Sequence, residues 1–166
     1  YIERLEETFI AHDDIVMLTG LVLADGKKGP GIDPIEGARL AANARPPAVE
    51  GLTDVFNGYG CNMAFRWDKI RHLGARFDEN LPLYSWLEDV DFSRQIATAG
   101  RLVQSNRLLG VHLGTKVGRT PGLKFGYSQI ANQISSSIYL SIQNQLGQIK
   151  NIDLFNSAGV RVTGLI

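Results

Sequence analysis

The stretch "IVMLTGLVLADG", residues 15 to 26, constrains the fold more than any other part of the sequence. β-Branched and aliphatic residues dominate it and Asp-Gly closes it, so it predicts a buried strand. Residues 1 to 12 place Ile2, Leu5 and Phe9 at helical spacing among charged residues, which predicts an amphipathic helix before that strand. A helix followed directly by a buried strand is the beginning of an α/β pattern.

The same alternation continues along the chain. The sequence predicts a loop over 27 to 47 with one short helix at 35 to 43, followed by two extended segments within 54 to 66 and a short helix over 67 to 74. It then predicts a helix over 86 to 99 capped by Ser85 and two strands, at 101 to 105 and 107 to 113. A polar helix is predicted from about 128 to 145. Residues 146 to 166 show no clear period. We therefore expect a single α/β domain with a mixed sheet, since the short strands near 54 to 66 lie close enough to pair.

The composition restricts the partners. Seventeen basic residues balance seventeen acidic ones, so no overall field attracts nucleic acid or an anionic membrane surface, and any ligand must be read from local sites. The single cysteine, Cys61, excludes an internal disulfide and fits a reducing compartment. No apolar run reaches the roughly 18 to 20 residues that span a bilayer, and "YIERLEETF" lacks signal-peptide character. We expect a cytoplasmic protein without a nucleic-acid partner.

The predicted helix over 86 to 99 begins with three acidic residues, Glu88, Asp89 and Asp91. In helical projection Glu88 and Asp89 fall within about 60° of Phe92, which lies on the apolar face, whereas Asp91 falls about 100° away, to one side. Acids in a first turn complement the helix dipole by about 0.3 to 1 kcal/mol each. Inward-facing carboxylates can instead provide a general base or hold a metal-bound, polyhydroxylated ligand. Periodicity alone leaves both interpretations open.

Several motifs follow one another around this helix. They are Gly60, Asn62 and Arg66 at Gly-x-Asn-x-x-x-Arg spacing, "GARFDE" from Gly74, "EDVDFSRQIATAG" from Glu88, and "VHLG" with His112. In this order they resemble the second half of the family-2 glycosyltransferases, enzymes of the GT-A fold. The wider resemblance runs from the first residue to about residue 140. The family's metal-binding Asp-x-Asp and the nucleotide-binding sheet before it are absent from this sequence. The resemblance therefore implies a GT-A-like mixed sheet flanked by helices, without the N-terminal nucleotide-binding portion.

The resemblance implies roles for the three acids. In the family the Glu-Asp helix lines the acceptor site, and the position of Asp89 takes the proton from the attacking hydroxyl as it displaces a nucleoside diphosphate from the sugar. The reaction is a single inverting displacement. Glu88 would orient the acceptor or the base. Asp91 would lie among the substrate-binding residues, as a cap or in a pair with Arg94 one turn further on.

The resemblance also bears on His112 and the basic loop that follows it. A lone histidine after a strand is usually a hydrogen-bonded structural residue, but in GT-A enzymes a histidine near this point can complete a divalent metal site, for Mg²⁺ or Mn²⁺. Lys116 and Arg119 lie among glycines in the loop. They are either scattered surface cations or the groups that clamp a diphosphate leaving group.

Five further residues carry alternative interpretations. Gly58, Tyr59 and Gly60 form a turn, which the resemblance places against the donor sugar, because glycine lets backbone approach a ligand closely. Asn62 would then bond the sugar hydroxyls. Trp86 either stacks on a sugar ring or fills the core. The candidate substrate-binding residues are therefore Gly58, Tyr59, Gly60, Asn62, Trp86, Asp91, Lys116 and Arg119.

Two functions of different classes follow. The first is a nucleotide-sugar-dependent glycosyltransferase of polysaccharide or glycolipid assembly in the cell envelope, peripheral to the membrane, with a carbohydrate or lipid-linked acceptor. The second is a noncatalytic carbohydrate-recognition or interaction piece derived from the same fold. Because the chain opens on Tyr1 within a predicted helix, we expect it to be the acceptor-binding half of a longer protein, inactive alone.

Overall fold

The computed structural model describes residues 1–27, 29–117, 120–134, 152–155 and 161–164. The chain divides into two compact units. Unit 1 comprises Tyr1–Arg76 and Phe92–Arg119, and unit 2 comprises Phe77–Asp91 and Thr120–Ile166.

Unit 1 is built around a mixed four-stranded sheet. Its elements are α1 (Ile2–Ala11), β1 (Ile15–Asp25), α2 (Pro34–Asn43), β2 (Leu52–Asp54), β3 (Met63–Phe65), α3 (Trp67–Ile70) with a 3₁₀ turn (Arg71–Leu73), the second half of α4 (Glu88–Ile96), and β4 (Arg101–His112). The strand order is β2-β4-β1-β3. The central strands β1 and β4 are parallel, and the edge strands β2 and β3 are antiparallel to their neighbours. The predicted mixed α/β sheet is confirmed. The expected pairing of the two short strands near 54 to 66 with each other is wrong, because β2 pairs with β4 and β3 pairs with β1 at the opposite edge.

The pairing of β1 with β4 is interrupted near its middle. Gly20 pairs with Ser105, but the next residue, Leu21, pairs with Leu109, so residues 106–108 form a bulge in β4. Glycine is required opposite this bulge, since a Cβ on Gly20 would come within 2.1 Å of the Leu108 carbonyl oxygen. Strands predicted at 101–105 and 107–113 are therefore one strand, because the sheet continues past the bulge.

The core of unit 1 covers both faces of the sheet. On one face Val16 and Met17 pack with α3 and with Phe92 and Ile96 of α4. On the other, Ile15, Leu18, Val103 and Leu108 pack beneath Leu5 and Phe9 of α1. Phe92 is 2% exposed and Ile96 is 0% exposed, which confirms the predicted apolar face of the helix. Burial of such side chains stabilises the fold by about 1.5 to 3 kcal/mol each.

Glycines join the carboxyl ends of β1 and β4. The amide of Gly26 donates to the carbonyl of His112 at 2.8 Å, and the amide of Ile32 donates to that of Leu113 at 2.7 Å. Gly114 has φ +59°, and a Cβ there would lie 2.2 Å from the Gly26 carbonyl carbon and oxygen. Only glycine allows the two chain segments to approach this closely.

Unit 2 contains the first turn of α4, helix α5 (Gly122–Ile134) and the antiparallel pair β5 (Ile152–Phe155) and β6 (Arg161–Gly164). Tyr84, Trp86 and Phe125 form an aromatic cluster, with the ring centroids of Trp86 and Phe125 at 5.4 Å and 86°. Among the helices of the described ranges, none has the length and apolar character that crossing a membrane requires.

The C-terminal part departs from the sequence prediction in two ways. Helix α5 begins at Gly122, inside the glycine-rich basic segment, whereas the helix was predicted from about residue 128. Strands β5 and β6 lie in the region 146–166, for which no period was found. The predicted helical residues 135 to 145 lie outside the described residues.

Candidate functional site

The carboxyl ends of the two parallel strands bring together residues that are far apart in sequence. Asp25 is the last residue of β1, His112 is the last residue of β4, and the two are register partners. In open α/β sheets, ligands bind outside the carboxyl ends of parallel strands. A ligand site in unit 1 is therefore expected at this edge of the sheet.

Asp25, Tyr59 and His112 form a hydrogen-bonded cluster at this edge, which we call the strand-end triad. His112 Nδ1 lies 2.7 Å from Asp25 Oδ1, and the Tyr59 hydroxyl donates to Asp25 Oδ2 at 3.0 Å. The Lys27 amide donates to Asp25 Oδ1 at 2.8 Å. Burial opposes ionisation of Asp25, but the hydrogen bonds from Lys27, His112 and Tyr59 outweigh it and hold the pKa of the Asp25 carboxyl below its ordinary value.

A pocket of about 290 Å³ lies beside the triad. Its volume is close to the lower end of the range for small-molecule sites. The walls combine strand-end residues with the segment that enters β3, and they are Tyr1, Val22, Gly60, Cys61, Asn62, Met63, Gly110, Val111 and His112. Three residues selected from sequence, Gly60, Asn62 and His112, therefore line one pocket although 52 positions separate the first from the last.

The position of Asn62 is fixed by β1. Its carbonyl oxygen accepts hydrogen bonds from the Thr19 hydroxyl at 2.7 Å and from the Gly20 amide at 3.4 Å. Its side-chain Oδ1 accepts from the Tyr1 hydroxyl, while Nδ2 is buried without a hydrogen-bond partner in the described part of the chain. Burial, and secondly the nearby Cys61 thiol, raises the pKa of the Tyr1 phenol. The pocket wall therefore has a defined backbone and contains polar side chains.

Glu88, Asp89 and Asp91 occupy the first turn of α4, as predicted. Glu88 and Asp89 are half-buried, and Asp91 is 3% exposed. Asp91 lies to one side of the apolar stripe and is nevertheless buried, because the buried face of α4 is wider than that stripe and also includes Ser93 at 0%. Ser93 belongs there since its hydroxyl accepts from the Gly58 amide at 3.1 Å.

Arg94, the partner suggested for Asp91, has other contacts. Its Nη1 donates to the carbonyl of Phe56 at 2.8 Å, and its guanidinium lies 4.2 Å from the centroid of the Phe56 ring. These contacts hold the Arg94 guanidinium against Phe56.

The backbone leading into α4 is strained. Leu83, Ser85 and Leu87 all have positive φ, at 59°, 52° and 78°, a conformation that costs non-glycine residues about 1 to 2 kcal/mol each. Ser85 does not cap the helix through its side chain, since its hydroxyl donates backward to the Leu81 carbonyl at 3.3 Å. Strain of this kind concentrates at functional sites, and here it immediately precedes Glu88 and Asp89.

The remaining candidates are dispersed. Gly58 is buried, and a Cβ there would lie 3.0 Å from the sulfur atoms of Met17 and Met63, so packing accounts for this glycine. Trp86 belongs to the aromatic cluster of unit 2. Lys116 donates to the Lys27 carbonyl at 3.3 Å, and Arg119 lies outside the described residues.

A divalent metal at this edge of the sheet would need several nearby ligand side chains. In the ranges that the structure describes, no three histidine, cysteine, aspartate or glutamate side chains are grouped as a metal site would need. His112 and Asp25 supply two such groups, and their Nδ1 and Oδ1 atoms contact each other at 2.7 Å. The described residues therefore do not make a metal site by themselves.

Sequence reasoning missed Asp25 and Cys61. The Asp-Gly pair at residues 25 and 26 predicted the end of a strand and nothing about a site. The usable signal was that Asp25 and His112 each end a predicted strand, because such residues meet if the strands are parallel. Cys61 gave no signal beyond its adjacency to Asn62.

Comparisons of the chain with protein-family models, with curated proteins and with solved structures found no match.

Proposed function

We propose that the chain is the acceptor-side half of an inverting glycosyltransferase of the GT-A fold, which moves a sugar from a nucleotide-diphosphate donor to a hydroxyl acceptor. One observation carries the proposal: Gly60, Asn62 and His112, named from family-2 motifs, line a single pocket at the carboxyl ends of two parallel strands. A chance set of motif matches has no reason to converge on one cavity.

The pocket has the chemistry that a sugar requires. Gly60 and Gly110 expose backbone, which allows close approach of a ligand ring. Val22, Met63 and Val111 provide apolar wall for the C–H faces of a sugar. Asn62, His112 and Tyr1 supply polar side chains for hydroxyl groups.

Within this proposal the first turn of α4 supplies the base. Asp89 is half-buried, and its Oδ1 accepts from the Val90 amide at 2.9 Å, so the carboxylate is held at the start of the helix. The acceptor oxygen forms a bond to the anomeric carbon, the bond from that carbon to the diphosphate breaks, and the acceptor's proton moves to Asp89. Glu88 orients the acceptor. No step is assigned to a metal.

Turnover by the full-length protein tests the proposal. The experiment screens UDP-, GDP- and dTDP-sugars against glycan and lipid-linked acceptors and measures release of the nucleoside diphosphate. We expect transfer with inverted anomeric configuration. Asn62→Ala should reduce kcat/KM for the donor, whereas Asn43→Ala, at an exposed position on α2, should leave it unchanged.

Cys61 provides a second, binding-only measurement. It is the one cysteine of the chain, is exposed and lines the pocket, so a bound sugar nucleotide should slow its alkylation by a maleimide. Protection without transfer would favour the noncatalytic carbohydrate-recognition alternative. If the whole panel gives no protection and no transfer, the proposed function is wrong.

A further inference from the structure

The strand-end triad has a definite direction of proton donation. An aspartate carboxylate at neutral pH accepts hydrogen bonds and donates none. Because Asp25 Oδ1 lies 2.7 Å from His112 Nδ1, the proton between them must be on Nδ1. The Tyr59 hydroxyl uses its single proton toward Asp25 Oδ2 at 3.0 Å, so at 3.3 Å from Nδ1 its oxygen is a second acceptor.

The opposite nitrogen of His112 is left for the pocket. A neutral imidazole with its proton on Nδ1 carries a lone pair on Nε2. None of the described residues hydrogen-bonds to Nε2, and the His112 side chain is 28% exposed and lines the cavity. A free neutral imidazole in water favours the other tautomer, with the proton on Nε2, so the surroundings must select this one.

We propose that Asp25 is a positioning residue that holds His112 in the Nδ1–H tautomer, so that His112 offers the pocket a hydrogen-bond acceptor at Nε2. The chemical class that this favours is a neutral hydroxylated ligand, which donates an O–H to Nε2. The inference deepens the proposed function and rests on it for the identity of the ligand. The tautomer itself does not depend on it.

A purely structural role for Asp25 is already filled by the backbone. The ends of β1 and β4 are joined by the Gly26–His112 and Ile32–Leu113 hydrogen bonds, and neither uses the Asp25 side chain. The contact between Tyr59 and His112 also orients the ring, since their centroids lie 5.8 Å apart with the planes at 83°. The carboxylate is therefore placed to select a tautomer in a ring whose orientation is otherwise defined.

The test is imidazole NMR on the ¹⁵N-histidine-labelled 166-residue chain at about pH 8, where histidine is neutral. The long-range ¹H–¹⁵N pattern reports which ring nitrogen carries the proton. We expect His112 to be protonated on Nδ1 and unprotonated on Nε2. His112→Gln assigns the signal, and His12 and His72 serve as internal references.

Asp25→Ala should move the His112 proton to Nε2 while His12 and His72 stay unchanged. Tyr59→Phe should keep the Nδ1–H tautomer, because Asp25 Oδ1 still accepts. Wild-type His112 found with its proton on Nε2 would overturn the inference, and this outcome needs no variant to fold. An unchanged tautomer in folded Asp25→Ala would overturn it as well. Failure of sugar transfer with the expected tautomer would count against the proposed function alone.

Discussion

The strand-end triad of unit 1 and the first turn of α4 in unit 2 are two polar clusters made in different ways. Asp25, Tyr59 and His112 come from three separate parts of the chain and are joined by direct hydrogen bonds. Glu88, Asp89 and Asp91 are contiguous, on one helical turn approached through three left-handed residues. A cluster of the first kind depends on topology, whereas one of the second kind depends on local backbone conformation.

The difference shows what each cluster can do. In the triad each polar group has its hydrogen-bond direction fixed by its neighbours, which suits the binding and orientation of a ligand. In the α4 turn the acids differ mainly in burial, from half-buried Asp89 to nearly inaccessible Asp91. Differences of this kind assign separate roles to similar side chains.

Under the proposed function, Asp89→Asn should produce the largest effect of any single change in the full-length protein. Loss of general base catalysis costs about 10² to 10⁴ in rate, so kcat should fall by that order while nucleotide affinity changes little. Near-normal turnover would show that the α4 turn does not supply the base.

The matched control is Asp91→Asn on the same turn. Because Asp91 is buried, the change should act through stability, by about 1 to 3 kcal/mol. If Asp91→Asn instead abolishes turnover in a folded protein, the roles assigned to the two residues are reversed.

Gly114→Ala tests how far the triad depends on the approach of β1 and β4. A methyl group there meets backbone at 2.2 Å and needs φ +59°, so we expect a loss of about 2 to 5 kcal/mol from overlap and strain together. Gly29→Ala is the control, since Gly29 also has positive φ, at +80°, but no atom within 4 Å. It should lose only about 1 to 2 kcal/mol. Equal thermal midpoints for the two variants would contradict the close approach.

Tyr59→Phe and Tyr84→Phe compare the two regions by the same chemical change. The Tyr59 hydroxyl bonds to a carboxylate, and its removal should cost about 1 kcal/mol, or about 2 to 4 °C in thermal midpoint. Tyr84 is 44% exposed and its hydroxyl makes no hydrogen bond within the described ranges. The thermal midpoint of Tyr84→Phe should therefore equal that of the wild type. A larger effect at Tyr84 would show that its hydroxyl has a role of its own.

Arg101→Gln should give the smallest effect and serves as a reference outside both clusters. The Arg101 guanidinium bonds to Asp14 and Asp54 at 3.0 and 2.8 Å, and its hydrogen bond holds the pKa of Asp14 below its ordinary value. A lowered folded pKa stabilises the protein above the unfolded pKa of about 3.9, and this contribution is lost as pH falls through the folded value. The variant should therefore show a slightly weaker fall in thermal midpoint between about pH 5 and pH 3. If the thermal midpoint of the variant falls with pH as steeply as that of the wild type, solvent screens the Arg101–Asp14 pair completely.

The parts of the fold that the sequence predicted are those with strong local signals. Aliphatic density predicted β1, and the spacing of Phe92 and Ile96 predicted the buried face of α4, because side-chain periodicity is a local property. The bulge at 106–108 was missed since it arises from pairing with β1, which a single strand does not encode. Asp25 was missed for the same reason: its partner lies 87 positions away. The burial of Asp91 was missed because a polar residue can be interior wherever hydrogen bonds satisfy it.

The number of residues in the β4 bulge determines where His112 lies relative to Asp25. Residues 106–108 intervene between the partners of Gly20 and Leu21, and only with this spacing does His112 arrive opposite Asp25. Removing or adding one residue there would displace the rest of β4 by about 3.3 Å and turn every one of its following side chains to the other face of the sheet. Surface connections in proteins commonly accept insertions and deletions. At Asn106 and Arg107, outside the buried Leu108, substitutions should be far better tolerated than any change in the number of residues.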